Sequence, residues 1–259
     1  MPALGFGTYR LTGEECVEGV AHALALGYRH VDTAQSYGNE AEVGRGLRRA
    51  GVSRDEVFLV SKLRPSNYDR TEASVQESLV ALGTDYLDLM LLHWPGDPAT
   101  TAAALEGLGR LRAAGAIRHV GVSNFPTALV TEAAKVVPIF CNQVEYHPFL
   151  AQARVLAQAE DLDLLITAYR PLAKGLTRDE PVLREVAAKY GKTTEQVTLR
   201  WLVQQPRVAT IPKSADPERR RANLDLFDFE LTAAEMTAVS GLARGQRLID
   251  PENAPAWDE

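Results

Sequence analysis

Short apolar, β-branched runs alternate with longer stretches of helical periodicity along the whole chain. Eight runs read as strands, at residues 5–9, 28–33, 57–61, 86–91, 119–123, 140–144, 164–168 and 208–211. The stretches between them carry helix start and stop signals. Thr12 with Glu15, Asp69 with Glu72, Thr193 with Gln196 and Thr232 with Glu235 each place a side-chain oxygen three residues before an acid or amide. That spacing predicts capping boxes, in which the first side chain satisfies an otherwise unpaired backbone N–H. Gly27 and Gly83 fall where the periodicity stops, and Pro206 ends the helix that Thr193 opens.

Strands alternating with helices imply a parallel sheet with βαβ crossovers. Eight such units in 259 residues fit a closed (β/α)8 barrel of the TIM type, an α/β fold, spanning residues 1–259 as one domain. An open dinucleotide-binding sheet would place a Gly-x-Gly-x-x-Gly turn after its first strand. Leu4-Gly5-Phe6-Gly7-Thr8 lacks that spacing, and Gly44-Arg45-Gly46 falls inside an expected helix. Any dinucleotide must therefore be held in another way.

Composition narrows the classes. The net charge of −6 argues against bulk binding to nucleic acid or an anionic membrane. Cys16 and Cys141 have no metal-ligand spacing and are expected to be reduced thiols, with no metal bound. Residues 1–5 lack the basic and apolar regions of a secretory leader, and no apolar run reaches about 18 residues, so the expected location is the cytoplasm.

The ends of the expected strands carry the candidate chemistry. In order they deliver Asp32 with Tyr37 just beyond, Lys62, His93, Ser123 with Asn124, Gln143, Tyr169, and Lys213 with Ser214. In a β/α barrel these ends meet at one mouth. Singly, each residue has an ordinary explanation as a turn, packing or surface group. Together they suit one reaction, in which a carbonyl oxygen is protonated while hydride reaches its carbon. Tyr37 is the expected proton donor, and an adjacent Lys62 ammonium would lower the phenol's pKa. Asp32 would hold Lys62 charged, and His93 would hydrogen-bond the carbonyl oxygen. Lys213 and Arg219 put two cations near an expected helix start, a site suited to a phosphate dianion.

Asp32, Tyr37, Lys62 and His93, in this order, resemble the catalytic tetrad of the aldo-keto reductases. So do Gly27-Tyr28-Arg29-His30-Val31-Asp32-Thr33-Ala34, Tyr37-Gly38-Asn39-Glu40, Gly121-Val122-Ser123-Asn124-Phe125 and Ile211-Pro212-Lys213-Ser214. The likeness runs from about Gly5 to the C-terminus, and the ending Arg247-Leu248-Ile249-Asp250-Pro251, with Trp257-Asp258, looks most like the bacterial 2,5-diketo-D-gluconate reductase B group. The resemblance implies a cytoplasmic, monomeric, NADPH-dependent reductase of small or sugar-derived aldehydes and ketones. It implies that Ser123, Asn124 and Gln143 bind the nicotinamide carboxamide and that Tyr169 stacks on the ring. Lys213, Ser214 and Arg219 would hold the 2′-phosphate, and Asn223 the adenine. Thr8, Tyr9 and Asp32 would lie along the cofactor, and Trp94 in the substrate wall beside Tyr37 and His93.

Three departures from the family pattern stand out. The start of the chain leaves too little length for the usual N-terminal hairpin. Arg170 replaces the common serine after Tyr169, so Arg170 or Lys174 is expected at the pyrophosphate. Ala222 stands where many members carry an acidic adenine contact. The competing reading is a cofactor-binding regulatory or structural barrel, which has no use for an intact acid and its lysine. A hydrolase or isomerase would need a metal cluster or an activated nucleophile that the sequence lacks.

Overall fold

The computed structural model describes residues 1–258. Its eight strands are β1 (Phe6–Gly7), β2 (His30–Asp32), β3 (Phe58–Leu63), β4 (Leu87–Leu92), β5 (Ile117–Ser123), β6 (Ile139–Glu145), β7 (Leu165–Tyr169) and β8 (Val208–Thr210). They form one parallel sheet in chain order. The sheet closes on itself: Leu4 bridges Thr210, Gly5 N donates to Thr210 O at 2.8 Å, and Gly7 N donates to Pro212 O at 3.2 Å. A Cβ on Gly7 would sit 2.7 Å from Ile211 O, so this seam requires a residue without a side chain.

Helices α1 (Gly13–Leu26), α2 (Glu40–Ala50), α3 (Thr71–Leu82), α4 (Pro98–Ala113), α5 (Thr127–Val136) and α6 (Ala153–Asp161) follow β1 to β6 in turn. After β7 come α7 (Pro181–Tyr190) and α8 (Thr194–Val203), and after β8 come α9 (Pro217–Leu224) and α10 (Ala233–Ser240). This is the expected (β/α)8 barrel, and Gly44-Arg45-Gly46 lies within α2 as expected.

The period-2 alternation of side chains explains how the barrel fills. On β3, Leu59 and Leu63 join the large outer core against the helices, while Val60 packs inside with Leu89, Leu91 and Cys141. Phe58, one step below Val60, meets Phe140 and His119 at the lower end, where the His119 and Phe140 rings stack at 4.1 Å. Lys62, one step above, reaches the mouth. Between β5 and β6 the register shifts, with Val120 opposite Ile139 but Val122 opposite Asn142. The extra residue lets consecutive Phe140 and Cys141 both pack inside, and it re-phases the strand so that Gln143 reaches Asp32.

Two of the expected capping boxes form, at Thr193–Gln196 and Thr232–Glu235, with both reciprocal hydrogen bonds present. The other two do not. Thr12 occupies the N-cap of α1 without a side-chain hydrogen bond. Asp69 is not a cap at all, because a 3₁₀ turn over Pro65–Arg70 runs directly into α3 and supplies its first turn. Gly27 and Gly83 end α1 and α3 in the left-handed region, at φ 112° and 67°. Among the described residues no hairpin precedes β1; residues 1–5 pass the barrel floor, where Pro2 O lies 3.2 Å from His30 Nδ1.

Candidate active site

The C-terminal ends of the strands open into a cavity of about 1010 Å³. Asp32 ends β2, Lys62 sits near the end of β3, and His93 follows β4. Tyr37 lies on a short 3₁₀ turn, Gln35–Tyr37, that brings the chain back over the mouth. Lys62 is fully buried, and its Nζ donates to Asp32 Oδ1 at 2.5 Å, to Thr33 O at 2.9 Å and to Tyr37 Oη at 3.3 Å. Three acceptors for three ammonium hydrogens leave the buried charge fully paired, as a low-dielectric site demands. The second Asp32 oxygen accepts from Gln143 Nε2 at 2.8 Å.

Burial raises the Tyr37 phenol above the ordinary tyrosine range, against the opposing pull of the Lys62 ammonium. The sequence-based expectation of a lowered pKa thus holds for the lysine's own effect, while desolvation wins in the sum. Burial pushes the Lys62 ammonium down, but Asp32 and then Tyr37 outweigh it and hold it above the usual lysine range. Burial, aided by the Lys62 charge, lowers His93 to about 3. His93 is therefore a neutral ring at physiological pH. Its edge packs on Tyr37, with centroids 5.7 Å apart and planes at 75°.

The model of the Aldo/keto reductase family matches residues 3–244. The chain belongs to the aldo-keto reductase family. It is 41% identical over 254 residues to an aldo-keto reductase of Mycolicibacterium smegmatis, covering 96% of this chain and 92% of that one. It is 37% identical over 266 residues to the methylglyoxal reductase DkgB of Yersinia pestis, covering 100% and 99%. Among solved structures, one described as a candidate 2,5-diketo-D-gluconic acid reductase B superposes with a TM-score of 0.97 at 47% identity, covering 100% of this chain and 94% of that one. A Bombyx mori aldo-keto reductase solved in complex with NADP superposes at 0.89 and 32% identity, covering 96% and 92%. Members of this family are oxidoreductases that use NAD(P)H.

Within this aldo-keto reductase the remaining expected residues form two groups on the cavity wall. Ser123, Asn124, Gln143 and Tyr169 line it, tied to one another. Ser123 Oγ donates to Gln143 O at 2.8 Å, and Tyr169 Oη donates to Asn124 Oδ1 at 2.7 Å. Asn124 adopts φ 63°, which turns its amide towards His93 O, 3.0 Å away. Lys213, Ser214, Arg219 and Asn223 line the cavity as well. There the start of α9 is capped by Asp216, whose Oδ1 accepts from Glu218 N and Arg219 N. The helix terminus is thus filled by a carboxylate, which leaves the side-chain cations as the groups open to an anion. Arg219 is exposed and only 3.6 Å from Asp216 Oδ2.

Tyr9, Tyr37, His93 and Trp94 also line the cavity, and Trp257 packs edge-on against Trp94 at 6.1 Å. Thr8 departs from its expected place. Its side chain is fully buried away from the cavity wall and donates to Asp32 O at 2.9 Å, so it braces β2. Arg170 and Lys174 both line the cavity, in a loop where Arg170, Ala173 and Lys174 all adopt positive φ.

Sequence reasoning missed Ser36, Arg10, Arg178, Glu195 and Ile249, all on the cavity wall. Ser36 and Arg178 sit on 3₁₀ turns and Glu195 at a helix start, with no strand-end signal, while Arg10 directly follows the expected first strand. Ile249 arrives from the C-terminal segment because the buried Glu145 carboxylate accepts from Leu248 N and Ile249 N, both at 2.9 Å. Cys16 and Cys141 are free and buried, and among the described residues no group of three or more His, Cys, Asp or Glu could hold a metal. No helix of the described residues is long and apolar enough to cross a membrane.

Proposed function

We propose that this protein reduces aldehydes and ketones to alcohols with NADPH, with Tyr37 as the proton donor. The observation that carries this reading is the paired ammonium of Lys62, 3.3 Å from the Tyr37 hydroxyl and 2.5 Å from Asp32, at the edge of an open cavity. The chain's own residues fit a nicotinamide dinucleotide. The cavity is as large as the upper end of the usual range for small-molecule sites, about 1,000 Å³. Hydrogen-bonding amides and the cations of Lys213 and Arg219 line it. When bound there, NADPH supplies the hydride that reaches the carbonyl carbon.

Every other part falls to the protein. Tyr37, held above its ordinary pKa by burial, keeps its proton until the carbonyl oxygen gains negative charge. The Lys62 ammonium then stabilises the phenolate left behind, and Asp32 keeps that ammonium in place. His93, neutral throughout, donates a hydrogen bond to the same oxygen and orients it. Gln143 ties the cavity wall to Asp32, and Tyr169 is fixed as a flat wall by its hydroxyl on Asn124. Lys213 and Arg219 are the groups to hold a 2′-phosphate. The aromatic surface of Tyr9 and Trp94, with Trp257 packed behind Trp94, shields the carbonyl from water. Methylglyoxal and 2,5-diketo-D-gluconic acid, named for the relatives above, are the first substrates to try.

The test is NADPH oxidation across a panel of aldehydes and ketones. Tyr37→Phe should lower kcat by about 10²–10⁴-fold, the usual contribution of a positioned general acid. NADPH affinity, read by fluorescence titration, should change little. Undiminished turnover in that variant would remove Tyr37 from the proton-donor role.

A further inference from the structure

Ser36 precedes Tyr37 on the 3₁₀ turn after β2, and its Oγ lies 3.0 Å from Nδ1 of His93. Among the described residues this hydroxyl has no other protein partner, and neither does His93 Nε2. The main chain that carries the ring is held independently of Ser36. His93 N donates to Leu63 O at 3.0 Å, and its carbonyl accepts from Asn124 Nδ2 at 3.0 Å, so the backbone is pinned on both sides. What the backbone leaves open is where the ring keeps its hydrogen. A neutral imidazole carries one, on either nitrogen, and the partner of one nitrogen decides the state of the other.

We propose that Ser36 is a positioning residue, donating its hydroxyl hydrogen to His93 Nδ1 and thereby holding the ring's single hydrogen on Nε2. The inference rests on the reading of this cavity as a carbonyl-reducing site. With the hydrogen on Nε2, the ring can donate to a carbonyl oxygen. With the hydrogen on Nδ1, Ser36 becomes the acceptor, and Nε2 turns a lone pair towards the oxygen's own lone pairs. The ring cannot escape this choice by taking a second proton, because burial and the Lys62 ammonium keep it neutral. Ser36 is exposed at the cavity rim, so removing its hydroxyl leaves the fold intact.

The experiment uses the whole protein with ¹⁵N-labelled histidine. Long-range proton–nitrogen spectra at neutral pH report which ring nitrogen carries the hydrogen, and His93→Gln assigns its signals among the five histidines. The wild type should show His93 protonated on Nε2. Ser36→Ala should move part of the population to Nδ1–H and lower kcat about fivefold, the worth of one hydrogen bond. The KM for NADPH should stay within about twofold, and Ser36→Thr should restore both the spectrum and kcat. A wild type protonated on Nδ1 overturns the proposal. So does a Ser36→Ala variant whose tautomer or kcat is unchanged. A wild type that turns over no carbonyl overturns the reductase reading instead, while the spectra still decide whether Ser36 sets the ring.

Discussion

At the scale of single residues, burial decides the direction of the shift at Tyr37, His30 and His93, whereas at Lys62 the neighbouring charges win. His30 shows the effect of burial most clearly, because it takes no part in the proposed chemistry. It lies fully buried at the barrel floor, and burial lowers it from 6.5 to about 4 despite the opposing pull of Asp32. His93 is lowered in the same way to about 3. Below about pH 6.5 the unfolded chain binds protons at these rings that the folded chain refuses. Stability therefore falls as pH falls through the window from 6.5 to about 4, by on the order of 3 kcal/mol for His30 alone. Glu40, raised by burial, acts in the opposite sense: its contribution is present at low pH and is lost as pH rises through its folded pKa. Urea unfolding at pH 7 and pH 5 should show the loss, and His30→Asn should flatten it. An unchanged slope in that variant would place the acid sensitivity elsewhere. The identities of Asp32, Tyr37, Lys62 and His93 were legible in the sequence because each follows an apolar strand. The role of Thr8 was not, because a hydroxyl at a strand end can face the cavity or brace its neighbour, and only the packing shows which.

At the scale of elements, the same local motif has different outcomes according to context. Thr12 and Thr193 both precede an acid or amide by three residues, yet only Thr193 closes a capping box. Thr193→Ala should therefore cost about 1 kcal/mol, while Thr12→Ala should change the unfolding free energy by no more than a few tenths. Thermal or urea unfolding of the two variants side by side checks this, and equal losses would contradict the assignment. Strand positions were readable from the runs of apolar residues, and all eight appear. Their ends moved by a few residues, as at β2, where only His30–Asp32 of the expected 28–33 pairs in the sheet. Ladder pairing sets those limits, and it depends on neighbours far away in the chain.

At the scale of the molecule, the cavity brings two different groups of residues together. One is the aromatic groups with Tyr37 and Asp32, backed by Lys62, and the other is Lys213 with Arg219. This grouping predicts that the cations affect cofactor choice without touching the chemistry. Lys213→Ala or Arg219→Ala should raise KM for NADPH about tenfold or more, the scale of a lost charge-assisted contact, with far less effect on NADH and on kcat. Steady-state kinetics with both cofactors decides the matter, and equal effects on the two would argue against a 2′-phosphate site. The overall negative charge of −6 does not oppose this, since the cations are gathered at the cavity.

The order of polar groups at the strand ends and the barrel class were already determined by the sequence, because both follow from local pattern and spacing, and the family was legible through the resemblance of its motifs. The tertiary structure alone decided the register shift in β6 that turns Gln143 to Asp32, and the backbone tie from Glu145 that brings Ile249 to the cavity. It also decided that desolvation outweighs the lysine at Tyr37. These depend on which distant groups share a dry interior, and one-dimensional spacing carries no record of that.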